Sequence, residues 1–229
     1  AISALPSDLF YAGRLADGVR AAERPPPPGF PWPQPEMPVA MVPVEHGGEG
    51  RRGTSYVNEA EAEATCHVAL DFLRAGMRPN EIGVITPYAS QVSLLRSRQA
   101  LRGIEVNSID GFQGRELEIV ILSCVRTRGM GFFADPRRAN VALTRARRGL
   151  VVLGSRAALG GMHAAPSSGG GAWPRWLAWA RAHGLVCGER ANGQYDATEM
   201  RAATASVFAG WDEAAASQDQ IRASPLPQA

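Results

Sequence analysis

Only three cysteines occur in the sequence, Cys66, Cys124 and Cys187, too far apart for a paired metal site and each set among apolar neighbours. They read as buried thiols in a reducing compartment, so we expect neither a disulfide nor a zinc centre. Nowhere do roughly 18 apolar residues run together, and no basic segment leads into an apolar core at the start. Neither a membrane span nor a secretory signal is therefore expected. A Gly-x-x-x-x-Gly-Lys-[Ser/Thr] loop is absent too, which leaves no evident phosphate cradle and no hydroxyl for a magnesium ion. Net charge is only +2, with a pI near 8.6, so charge summed over the molecule does not call for a nucleic-acid partner.

What the chain does have is 229 residues, 45% of them hydrophobic and 20% charged, enough for one sizeable domain of ~150 residues with additional segments. Its positive charge is concentrated. Between Arg115 and Arg156 stand nine arginines and no lysine, against Glu116, Glu118 and Asp135. The densest part is Pro136-Arg137-Arg138-Ala139-Asn140-Val141-Ala142-Leu143-Thr144-Arg145-Ala146-Arg147-Arg148-Gly149, followed at once by the apolar Leu150-Val151-Val152-Leu153-Gly154. Asp135 is a good helix cap and Pro136 suits the first turn, so a helix should start there. Val141, Leu143 and Ala146 can face inward. Arg138, Arg145 and Arg147 cannot all be buried unpaired, because a desolvated guanidinium needs an anion. If the helix runs through Arg147, that side chain points about 200° around the axis from Arg145. Alone, such a run would read as a solvated arginine face.

Taken in order, the chain begins with an apolar, turn-punctuated segment through Leu15 that must lean on something larger. Pro25 to Pro28 then force an extended path, which Pro31, Pro33 and Pro35 continue past Trp32. Val39 to Val44 reads as a short strand at an edge, since Pro43 removes a ladder donor. His46 to Gly53 is a glycine-rich loop. Asn58 and Glu61 form a capping-box pattern ahead of Ala62, Cys66, Ala69, Leu70 and Leu73, an amphipathic helix that Gly76 stops. A buried strand at Ile82–Thr86 turns at Pro87 into a helix expected to run through Leu101, with Val92 and Leu95 inward. Strands follow at Ile104–Ser108, at Leu117–Cys124, whose apolar density suits a central parallel strand, and at Leu150–Gly154. Gly160-Gly161 and Ser167 to Gly171 read as loop. Trp173, Trp176, Leu177, Trp179 and Ala180 recur at helical spacings, and one or two of these tryptophans should close the sheet's edge. Alternating strands and helices imply right-handed crossovers and a doubly wound parallel sheet, an α/β fold. The chain thus divides into an N-terminal segment and proline-rich linker at 1–36 that leans on the core, a domain at 37–188, and a tail at 189–229 with too few large apolar residues to fold.

Two stretches add chemistry to the arginine run. Thr86-Pro87-Tyr88 ends a strand at the carboxyl edge of a parallel sheet, where ligands of open α/β sheets bind, and its hydroxyl and N–H groups suit phosphates. In Gly111-Phe112-Gln113-Gly114-Arg115-Glu116 the glycines allow close backbone approach, and Gln113 and Glu116 supply an amide and a carboxylate. In chain order, Gly83 to Gln91, Ser108 to Glu116 and the arginine run resemble motifs IV, V and VI of superfamily 1 helicases, over about residues 79 to 156. Further stretches look like the up-frameshift RNA helicases of nonsense-mediated mRNA decay, over roughly residues 2 to 188: Phe10 to Leu15, Trp32 to Pro35, Gly53 to Asn58, Leu122 to Arg126 and Gly131 to Asn140.

That resemblance implies the second of two RecA-like domains of an ATP-dependent 5′ to 3′ RNA and DNA helicase, a parallel sheet with helices on both faces. It implies an arginine finger at Arg145, and a nucleotide site of Gln113, Gly114, Glu116 and Arg145 for ATP with Mg2+, whose metal ligands belong to the first domain. Thr86, Pro87, Asn107 and Ser108 become the RNA contacts. Implied partners are single-stranded RNA, with DNA as an option, and other mRNA decay factors in the cytoplasm or nucleus, with no membrane. Gly111 stands where the family tends to have alanine, Ala139 where it has leucine and Arg148 where it has an aromatic. The phosphate loop, the Asp-Glu pair of motif II, the arginine of motif IIIa and the family's zinc-rich region are not in this sequence, which opens on Ala1; we expect a piece of a longer protein or a truncated relative. Two other readings remain: a helicase of the senataxin or immunoglobulin-switch type, or a non-catalytic module that binds RNA or a partner.

Overall fold

The computed structural model describes residues 2–161 and 171–189. The loop read at Ser167 to Gly170 and the tail beyond Glu189 lie outside the described residues.

Among the described residues seven strands form, five of them in one parallel sheet. They are β1 (Val39–Pro43), β2 (Gly50–Arg52), β3 (Ser55–Val57), β4 (Ile82–Thr86), β5 (Glu105–Ser108), β6 (Leu117–Ser123) and β7 (Ala146–Gly154). The sheet order is β1-β7-β6-β4-β5, and β2 and β3 make a separate antiparallel hairpin. Successive residues of the strands alternate between two apolar clusters, as extended backbone dictates. Ile82, Val84, Ile119, Ile121, Val151 and Leu153 join one, while Ile85, Val120, Leu122, Leu150 and Val152 join the other. Both faces must therefore be covered, which is why these strands are apolar throughout.

The first face is covered by α2 (Glu59–Arg74) and α3 (Ala89–Arg96), the second by α1 (Ala4–Phe10), α4 (Pro136–Leu143), α5 (Arg156–Leu159) and α6 (Ala172–Ala182). This is the expected α/β, RecA-like arrangement. As read from the sequence, Asn58 caps α2 by accepting the Glu61 N–H at 3.1 Å, β1 lies at an edge, and β6 is central. All three cysteines are buried.

Five expectations need correction. The helix predicted through Leu101 ends at Arg96, where the Ser97 hydroxyl bonds the Leu94 carbonyl at 2.7 Å, a local competitor to helix continuation. The arginine helix stops at Leu143. Thr144 Oγ1 bonds the Asn140 carbonyl at 2.8 Å, and Ala146 is already paired with Leu117, so β7 begins four residues before Leu150 and holds Arg147 and Arg148. Trp173 and Trp176 are buried on the second face, with Trp173 Nε1 donating to the Phe133 carbonyl at 2.7 Å, rather than at the sheet's edge. The edge is extended by Leu185–Cys187, which exchanges backbone hydrogen bonds with Met41. Finally, Glu189 is not in a loose tail: it is paired with Arg181 at 2.6 Å and Arg156 at 3.5 Å.

The proline-rich segment is pinned to the first face. Trp32 donates Nε1 to the Pro27 carbonyl at 2.8 Å and its ring lies 4.8 Å from Phe30 and 6.1 Å from Phe72. Beneath it sits Gly149, where a Cβ would come within 2.8 Å of the Trp32 ring.

Candidate functional site

The helices that follow β4 and β6, α3 and α4, leave on opposite faces of the sheet. Neighbouring strands whose connections diverge in this way open a crevice at their carboxyl ends, where open α/β sheets bind ligands. At that end Thr86 is paired in register with Ser108, and Ile85 with Asn107, so the four expected RNA contacts meet. Thr86 and Pro87 are buried, and the Thr86 hydroxyl has no hydrogen-bond partner among the described residues. Asn107 and Ser108 are half-buried, with Asn107 Oδ1 accepting the Ser108 N–H at 2.9 Å. Gly111 leaves room for the Asn107 amide, which a Cβ would approach to 2.5 Å.

Sequence reasoning missed the polar network beneath this crevice. Val125, directly after β6, is a buried β-branched residue at φ 72°. The Arg126 N–H returns to the Cys124 carbonyl at 2.8 Å, closing a γ-turn of the strained, φ-positive kind. Two residues of the α2 start hold it. Glu61 Oε2 accepts the Val125 N–H at 2.7 Å and the Ser123 hydroxyl at 2.7 Å, and Asn58 Nδ2 donates to the Val125 carbonyl at 3.1 Å. Gln91 ties Asn58 to Ser123, donating to the Asn58 carbonyl at 3.0 Å and to Ser123 Oγ at 3.2 Å. Burial pushes the Glu61 carboxyl up to about 8, against the hydrogen bonds that favour its ionised form. The only sequence signal was the capping box, which ordinarily describes a surface carboxylate.

The turn aims Arg126 out of the sheet. Its Nε donates to Glu49 at 2.8 Å, and its guanidinium lies 4.3 Å from the centre of the Tyr56 ring. Burial opposes both charges, yet each partner's hydrogen bonds prevail, lowering the Glu49 pKa and raising that of Arg126. Tyr56 meets Tyr88 edge-on at 5.4 Å, and Tyr88 meets the exposed Phe132 at 4.9 Å.

The expected nucleotide residues gather at the opposite, amino end of the strands. Gln113, Gly114 and Glu116 are exposed just before β6, and Gly114 holds φ 77°, a conformation that favours glycine. Arg145 precedes β7 and folds across the gap: Nε donates to the Val141 carbonyl at 3.1 Å, Nη1 to the Arg115 carbonyl at 3.2 Å and Nη2 to Thr144 Oγ1 at 2.8 Å. Glu116 pairs with Arg147 at 3.2 Å, and Arg148 lies 3.9 Å from Glu118. Because Arg147 is in a strand, it does not sit 200° around a helix from Arg145. Beside them a cavity of about 730 Å³ is lined by Thr144, Arg147 and Arg148 and by Asp17, Arg20 and Arg24 of the N-terminal segment.

The family model described as AAA domain matches residues 1–157. The chain belongs to that family. It is similar to the regulator of nonsense transcripts 1 homologs of Neurospora crassa, at 45% identity over 169 residues (67% of this chain, 15% of the relative). That of Drosophila melanogaster is 44% identical over 168 residues (67% of this chain, 14% of the relative). The ATP-dependent helicase upf1 of Schizosaccharomyces pombe is 41% identical over 169 residues (67% of this chain, 18% of the relative). The chain therefore spans less than a fifth of the length of these relatives. Within the AAA domain family it is a helicase-type domain of the up-frameshift kind, as its motifs indicated.

What this AAA domain can offer a nucleotide follows from its open amino end. Gly114 exposes backbone to close approach, and Arg145 supplies a cation at the adjoining loop. Among the described residues no cluster of His, Cys, Asp or Glu is able to hold a metal ion. The exposed Gly114 backbone and the Arg145 guanidinium are chemically suited to an anionic ligand such as a triphosphate.

Proposed function

We propose that this domain forms the second half of an ATP-driven helicase site, with Arg145 as the finger that stabilises charge on the γ-phosphate. Gln113, Gly114 and Glu116 would line the same side of ATP, and the phosphate loop and the Mg2+ ligands would come from a first domain outside this sequence. Magnesium-bound ATP supplies the phosphoryl group; this chain's part is to orient a guanidinium towards it and to hold the adjoining loop. Arg145 already donates hydrogen bonds to the Val141 and Arg115 carbonyls and to Thr144 Oγ1, all acceptors that phosphate oxygens would replace, so turning it towards a phosphate calls for side-chain rotation. Single-stranded RNA, or DNA, would run along the carboxyl ends of β4 and β5 past Thr86, Pro87, Asn107 and Ser108. Held through its backbone, it would be bound with little sequence preference.

One observation carries this reading: the two sets of residues lie at opposite ends of the strands, with α4 in the connection that returns from the carboxyl end of β6 to the amino end of β7. The eight residues of α4 span about 12 Å, with Arg138 near one end and Arg145 just beyond the other. Other mRNA decay factors as partners and a cytoplasmic or nuclear location follow from the same reading. The test is ATP turnover by a polypeptide that includes a first helicase domain: Arg145→Ala should lower it by ~10³ or more. Unchanged turnover would exclude the finger.

A further inference from the structure

Among the described residues Phe132 is the one large apolar side chain standing open at the carboxyl end of the sheet. It is 47% exposed, and the other exposed large apolar residues among those described, Tyr11, Leu15 and Val19, belong to the N-terminal segment. Its position is fixed from behind. The next residue, Phe133, is fully buried against Trp173 at 4.4 Å, so the backbone is anchored with Phe132 turned outward. Tyr88 meets the Phe132 ring at 77° and is itself 3% exposed, with its hydroxyl 3.4 Å from the Met130 carbonyl and 3.4 Å from Arg126 Nη1. An exposed ring ordinarily pays for its mobility on binding; this one is preorganised.

Beside it is a cation short of partners. The Arg138 guanidinium lies 5.1 Å from the centre of the Phe132 ring. Its nearest carboxylates, Asp110 and Asp135, are both at 3.7 Å, too far for a hydrogen bond, and Nε is buried without any partner among the described residues. Arg126, by contrast, donates from all three nitrogens, to Glu49, the Tyr88 hydroxyl and the Arg128 carbonyl. The surroundings are basic as well, with Arg51, Arg52, Arg128 and Arg137 exposed.

We propose that Phe132 is a stacking seat for one unpaired base of single-stranded nucleic acid, and that Arg138 takes the phosphate next to that base. The proposal rests on the reading that nucleic acid runs along this edge, and adds to it a residue that grips bases. A rigid aromatic face beside an unsatisfied guanidinium matches a nucleotide, which is flat at one end and anionic at the other. An apolar peptide would satisfy the ring and bring no anion to Arg138 Nε.

The experiment is fluorescence anisotropy of the purified chain with labelled single-stranded RNA and with an abasic ribose-phosphate strand of equal length. We expect Phe132→Ala to weaken RNA binding about tenfold, with no change in the slope of affinity against salt and none in abasic-strand binding. Phe132→Trp should retain affinity, and 2-aminopurine in the RNA should be quenched by the wild type and not by F132A. Arg138→Ala should lower the salt slope by about one phosphate. Equal RNA affinity of wild type and F132A, with 2-aminopurine unquenched, overturns the seat and assigns Phe132 to a protein contact, while leaving RNA on this edge. No RNA binding by the wild type at low salt overturns both.

Discussion

Glu61 and Val125 form one unit: the buried carboxylate accepts the Val125 N–H at 2.7 Å and so holds a β-branched residue at φ 72°. Such a conformation costs about 1–3 kcal/mol and persists only where neighbours impose it. Here it is imposed by the first turn of α2, at the crevice where Arg126 emerges.

The first prediction concerns that carboxyl. Its pKa is raised from 4.5 to about 8 by burial, so the folded state binds a proton that the unfolded state has lost in this window. Its contribution is complete below pH ~4.5 and is lost as pH rises towards 8, at up to about 1.4 kcal/mol per unit. Glu61→Gln should flatten the fall in melting temperature between pH 5 and 8; an identical slope in both proteins would refute the assignment.

Replacing Val125 with glycine removes apolar burial worth about 1.5–3 kcal/mol, and also relieves the strain. These nearly cancel. Urea unfolding should show a much smaller loss for Val125→Gly than for Val152→Gly, a buried strand position in ordinary conformation. Equal losses would mean that the turn at Val125 stores no strain.

Gly149→Ala tests the proline-rich segment. The added methyl meets the Trp32 ring at 2.8 Å and Pro27 at 3.1 Å, so we expect a destabilisation of about 1–3 kcal/mol. In the background of Trp32→Ala the same substitution should cost almost nothing. A loss of equal size in both backgrounds would show that Trp32 does not cover Gly149 in solution.

Much of the sheet was legible because short, dense apolar runs such as Ile82–Thr86 and Leu117–Ser123 suit strands buried on both faces. The boundary in the arginine run was not. Thr144-Arg145-Ala146-Arg147 suits a helix surface as well as a strand end, and what decides is Ala146 pairing with Leu117 of a distant strand. The motif residues came from the resemblance to superfamily 1 helicases, carried by short contiguous stretches, and each set lies together at one end of the strands. Glu61, Tyr56, Tyr88 and Phe132 escaped because they converge only through the crossing of β4 and β6 with the β2–β3 hairpin, a relation between residues remote in sequence. Gly111, by contrast, was noticed as a departure and is explained by the Asn107 amide beside it.

Arg145 as the γ-phosphate finger is the central claim. RNA-stimulated ATP hydrolysis should be measured in a polypeptide joining this domain to a first helicase domain, comparing Arg145→Ala with Arg78→Ala, an exposed arginine paired only with Glu81 in its own turn. We predict a loss of ~10³ or more for Arg145→Ala with RNA affinity unchanged, and no loss for Arg78→Ala. Equal turnover in the two variants, or a loss in R145A that tracks weakened RNA binding, would contradict it.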